Sequence, residues 1–152
     1  MTAALIIAVT AFLVPRFAGG DSDNARRTLT AALDAATQLR DQEQGWSADT
    51  SALGARTARV HWSTDSSASD SEVSVGVFGA TGEVLAMASW NGADECWMVR
   101  ADDSSGVPEP VWAVELMESS AGCTAGRADT AARIDGDAPG RGRDANSPLE
   151  LD

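Results

Sequence analysis

Hydrophobic and polar positions divide the chain into four stretches of different rhythm. Residues 2–14 are uncharged and mainly apolar, ending at Pro15-Arg16. From Ala25 to Arg40 the apolar positions recur at helical spacing, with Leu29, Ala32, Leu33, Ala36 and Leu39 on one face. The period then falls to two. Arg59–Trp62 is a short strand candidate, and Glu72–Phe78 alternates with Val73, Val75 and Val77 on one side. Glu83–Trp90, Glu95–Arg100 and Val111–Met117 continue this pattern, with turns at Gly79–Gly82 and Asn91-Gly92. After Cys123 no periodic apolar pattern remains, and Gly136, Pro139, Gly140, Gly142 and Pro148 stand among scattered charges.

These rhythms predict an α+β fold: a long N-terminal helix packed on a small antiparallel β-meander of about four strands, followed by a disordered C-terminal tail. Residues 1–20 read as a partial membrane-anchor helix. Residues 21–123 read as a head with an amphipathic helix at 25–40 and a sheet within 59–117, and 124–152 as the tail. The Asp21-Ser22-Asp23-Asn24 cluster has the composition of a helix N-cap. Residues 41–56 read as a polar loop with a helical turn around Thr50–Leu53.

The first apolar run has thirteen residues, whereas a helix needs about 20 to cross a bilayer. It fits the core of a signal peptide, a short buried helix, or the end of a membrane helix. The signal-peptide reading lacks a basic flank before the run and a small-x-small site after it. As a membrane helix it would use Ala3, Leu5, Ile6, Ile7, Val9, Phe12, Leu13 and Val14, with Pro15 at its kink or end.

Charge changes the picture of the head. The net charge is −12, with no lysine in the chain. Residues 41–123 carry fourteen acids against Arg56, Arg59 and Arg100. So acidic a surface repels phosphate backbones, and bulk nucleic-acid binding is not expected.

Candidate chemistry is sparse. Cys96 lies on a strand and Cys123 follows the last one. Downstream of an export or membrane segment, two cysteines suggest a disulfide, with two buried thiols as the other reading. The closed loop of 26 intervening residues would contribute roughly 3–4 kcal/mol. His61 is the sole histidine and reads as a strand residue at a loop edge. No nucleophile elbow accompanies the many serines, and Gly76, Gly79 and Gly82 lack the lysine and helix start of a phosphate loop. Asp94-Glu95 and Asp102-Asp103 match no calcium loop and read as solvated acids. No enzyme, cofactor or metal site is expected. Five tryptophans, Trp46, Trp62, Trp90, Trp97 and Trp112, are available to fill a core or line an interface.

The order of these elements resembles the type IV pilin-like and pseudopilin proteins of actinobacterial type. Arg27–Ala36 resembles their head-proximal helix. Glu72–Phe78, Glu83–Ser89 and Glu95–Arg100 resemble the hairpin and the cysteine-bearing strand, and Gly122-Cys123-Thr124-Ala125 the partner cysteine segment. The similarity covers roughly residues 3–125. It implies a structural subunit of a pilus-like or secretion filament, assembling through its N-terminal helix with other pilin-like subunits. It also implies attachment to the cell membrane, with the head outside the cytoplasm or on a surface filament. The family's basic leader, glycine cleavage site and phenylalanine-to-glutamate start are absent, and Met1 falls where the middle of the hydrophobic helix belongs. The arginines at 16, 26 and 27 follow the apolar run, so an outward-facing head also requires basic residues ahead of it. The alternative is a membrane-anchored or secreted acidic binding module with no filament role.

Overall fold

The computed structural model describes residues 19–134. The predicted membrane-helix residues and Pro15 lie outside this range, as do residues 135–152. The order is α1 (Gly19–Glu43), α2 (Thr50–Gly54), β1 (His61–Ser63), β2 (Glu72–Phe78), β3 (Val84–Trp90), β4 (Glu95–Asp102), β5 (Glu109–Leu116), a 3-10 turn (Ser120–Gly122) and α3 (Ala125–Ile134). The α+β class and the N-terminal helix on a sheet follow the expectation.

The sheet corrects it in two respects. It has five strands in the order β1-β2-β3-β4-β5, and it is mixed. β2 to β5 form an antiparallel meander, but β1 runs parallel to β2, with His61 beside Glu72. A parallel neighbour ordinarily needs a crossover of about a dozen residues or more. Here a three-residue strand leaves so little length to retrace that residues 64–71 suffice. Ser67 holds that short crossover. Its hydroxyl donates to the Glu72 carbonyl at 2.7 Å and accepts from the Trp90 N–H at 2.9 Å.

The first helix is longer than the predicted 25–40. Asp21–Asn24 lie inside it rather than capping it. Tertiary contacts tie this stretch down instead: Ser22 donates to Glu95 and Asn24 donates to Asp70. The helix ends three residues beyond Arg40, at Glu43. Gln44 takes φ 59°, and the Gly45 N–H returns to the Arg40 carbonyl at 3.2 Å, as in a Schellman ending. The expected turn near Thr50 is α2, whose N-cap Asp49 accepts from the N–H groups of Ser51 and Ala52.

Both faces of the sheet are covered. On one, Leu29, Ala32, Ala36 and Leu39 of α1 pack on Val73, Val75, Leu85, Met87 and Val99. On the other, Ala128 and Ala131 of α3 pack with Ala86, Ala88, Met98 and Ala113. The tail prediction therefore fails for residues 125–134. They form a helix, and the folded unit extends past the predicted head boundary at 123. Every residue of β3 is buried because it is the middle strand between two helices.

Candidate functional site: the helix clamps and the β5 edge

Of the predicted packing face of α1, Leu29, Ala32, Ala36 and Leu39 are buried and Leu33 is half-buried; Ala25 and Ala35 are buried as well. Apolar contact alone leaves a helix free to slide, and polar groups fix this one at both ends. Near its start, Ser22 Oγ donates to Glu95 Oε2 at 2.5 Å. The same oxygen accepts from Trp97 Nε1 at 3.3 Å. Glu95 is held by the turn before β4. There, the buried Asn91 accepts through Oδ1 from the N–H groups of Ala93, Asp94 and Glu95 at 2.9, 3.0 and 2.9 Å.

Near the other end, Arg40 grips Asp103 with two nitrogens, at 2.7 Å from Nε and 2.5 Å from an Nη. Its guanidinium also lies over the Trp46 ring, 5.3 Å from the centroid. The Asp103 carboxylate raises the Arg40 pKa above its ordinary value through that hydrogen bond. Glu95 opens β4 and Asp103 follows its last residue, so the two clamps lay α1 along the full length of that strand.

On the opposite face, Cys96 and Cys123 are joined in a disulfide, with Cα atoms 5.4 Å apart and both residues fully buried. The bond ties β4 to the residue pair preceding α3. Thr124 caps that helix by accepting from the Arg127 N–H at 3.1 Å. Arg100 reaches from β4 to Asp129 at 3.1 Å, and Arg127 reaches from α3 to Glu115 at 2.8 Å. Ser74 Oγ accepts from the Ala125 N–H at 2.9 Å.

The residues weighed for chemistry are dispersed or already engaged. His61 is exposed on β1. Asp103 is taken by Arg40, and Glu95 by Ser22 and Trp97. Asp102 accepts from the Ser104 N–H at 2.9 Å and lies 3.3 Å from Arg100; these partners hold its carboxyl below the usual range, Ser104 contributing most. Of those four acids, Asp94 alone is exposed with its carboxylate outside these contacts. Among the described residues no three His, Cys, Asp or Glu side chains converge as a metal site. No helix there is long and apolar enough to cross a membrane.

Tryptophans do not form an exposed platform. Trp46, Trp90 and Trp97 are buried, while Trp62 and Trp112 are half-buried. Among the described residues the exposed large apolar side chains are instead Val107 (67% exposed), Val111 (45%) and Leu116 (76%), on β5 and the loop before it. The sequence reading missed this surface. Its signal was a strand at the end of the meander carrying apolar residues on both faces.

The chain matches no family model, no curated protein and no solved structure.

Proposed function

We propose that this chain is a non-catalytic, pilin-like structural subunit, attached to the membrane through the apolar segment before α1, with its disulfide-bonded head outside the cytoplasm. The carrying observation is the double clamp on α1. Ser22–Glu95 and Arg40–Asp103 fix the helix along β4, so the sheet and α1 hold one orientation relative to each other. A filament subunit needs that coupling. Its association energy comes from burying apolar helix surface, and a head free to swing would spread that contact over many orientations. The run at residues 2–14 supplies the apolar surface, and the buried Cys96–Cys123 bond suits an oxidising compartment.

The second reading is an anchored or secreted binding module. The exposed Val107, Val111 and Leu116 favour it, because they offer a contact surface outside the helix.

An epitope-tagged chain in the native host separates these readings. The filament reading expects the tag in sheared surface material together with other pilin-like subunits, open to protease on intact cells. It also expects cysteines that react with maleimide only after reduction. Tagged protein that is exported but always absent from sheared filaments favours the binding module. A cytoplasmic protein with free thiols overturns both.

A further inference from the structure

The sheet has two edges of different character. β1 is three residues long and offers a partner strand little to pair with. β5 is eight residues long, and α1 packs mainly over β2, β3 and β4. The direction of its hydrogen bonds follows from one contact. The Met117 N–H donates to the Asp94 carbonyl at 2.7 Å, extending the β4–β5 register by one pair. Residues in an antiparallel ladder alternately turn their N–H and C=O toward the neighbour and away from it. Glu115, Ala113 and Val111 therefore bond inward to β4. Leu116, Val114 and Trp112 turn outward, as does Pro110, which lacks an N–H. Among the described residues no strand lies beyond β5, and a long edge with exposed apolar side chains is a template for another strand.

We propose that this edge pairs with β5 of a second copy of the chain, antiparallel, with Val114 opposite its symmetry mate. The register follows from what each alternative sets face to face. With the two-fold axis through Val114, Leu116 meets Trp112 on the α1 face, and Val111 meets Met117 on the α3 face. These contacts cover the two most exposed apolar side chains of the strand. Glu115 falls opposite Ala113 and Glu118 opposite Pro110, so no acid faces an acid despite the charge of the head. Moving the axis to residue 115 sets Glu115 against Glu115, which is destabilising for directly opposed like charges. Moving it to residue 113 sets Val111 against Glu115 and Leu116 against Pro110, whose missing N–H leaves a carbonyl unpaired. The Val114 axis lets the outward N–H and C=O groups of Trp112, Val114 and Leu116 all find partners within the strand itself.

This pairing has a geometric consequence. The axis is normal to the sheet, and α1 lies along β4, so the two helices run in opposite directions. Chains standing side by side in one membrane cannot adopt it. On the membrane-attached reading proposed above, it joins copies carried on facing surfaces or on separate, oppositely directed filaments. The contact does not depend on the pilin-like reading.

Cysteine pairing on the full chain tests it. In a hydrogen-bonded antiparallel pair the Cα atoms are about 5.5 Å apart, within the range a disulfide spans. Val114→Cys should form a covalent dimer under mild oxidation. An equal mixture of Val111→Cys and Met117→Cys chains should form a heterodimer, while neither variant alone links to itself. Independently, Leu116→Arg lies at an exposed position and should shift the sedimenting species from dimer to monomer without unfolding the head. The proposal is overturned if Val114→Cys stays uncrosslinked, if Val111→Cys links to itself as readily as to Met117→Cys, or if the Leu116→Arg chain remains a dimer.

Discussion

Gly76 on β2 and Ala125 at the start of α3 are in such close apposition that a methyl group built on Gly76 would lie 3.1 Å from the Ala125 Cβ. The same methyl would meet the Phe78 ring at 2.7 Å. Phe78 can turn part of its ring aside, but Ala125 is tied to Cys123 two residues away, and its N–H is held by Ser74. Gly76→Val should therefore lower stability by about 1–3 kcal/mol through overpacking. Chemical denaturation measures this. Gly76→Ala should cost less, and a Gly76→Val chain as stable as the original would mean that α3 is not seated as described.

The second helix layer shows where sequence reading stopped. Among the described side chains of α3 the buried apolar ones are Ala125, Ala128 and Ala131, too small a hydrophobic signal to stand out among Gly126, Arg127 and Asp129. Alanine serves there because the sheet face beneath is also built of small residues, Gly76, Ala86, Ala88 and Ala113. Each half makes sense only beside the other, and they lie 12 to 55 residues apart in the chain. By contrast, Leu29 and Leu39 were legible on α1 because large side chains at helical spacing carry their own signal. The clamp residues were not. Ser22 read as a cap and Glu95 and Asp103 as solvated acids, because a hydrogen bond between residues 73 positions apart leaves no local pattern.

Reducing Cys96–Cys123 should destabilise the head by roughly 3–4 kcal/mol, set by the loop it closes. The loss should be uneven. Helix α3 follows directly after Cys123 and rests on small contacts, so its amides should gain hydrogen exchange first, ahead of those in β3. Exchange measured with and without reductant reads this directly. Uniform acceleration across both elements would show that α3 does not depend on the bond.

Replacing Glu95 tests the clamp at the start of α1. Glu95→Ala leaves Ser22 Oγ and Trp97 Nε1 without their acceptor, at a cost of about 1–3 kcal/mol. A Ser22→Ala, Glu95→Ala double variant should lose less than the sum of the two single changes, because each single change already breaks the shared bond. A double-mutant cycle by denaturation gives the coupling. Additive losses would mean that the two side chains act independently.

Acid should weaken the fold through two carboxylates in particular. The Glu83 carboxyl is held below its ordinary value of 4.5, chiefly by backbone N–H groups of its own residue and Thr81, with the Thr81 hydroxyl adding to them. Asp102 is held below 3.8, chiefly by Ser104, with Arg100 adding to it. A carboxyl whose folded pKa is depressed binds protons less readily in the folded state than in the unfolded one. Its contribution is therefore fully present above the unfolded value and is lost as pH falls through the folded one. Stability should thus be level near neutrality and decline once pH drops below about 4.5 toward and past the depressed values. Asp102→Asn keeps the side chain's shape and an acceptor oxygen but cannot titrate. Its stability should be lower than the original at pH 7 and should fall less on acidification, so the two curves converge in acid. Thermal unfolding midpoints taken between pH 7 and pH 2.5 would show that convergence. Parallel curves would mean that the partners of Asp102 do not favour its charged form.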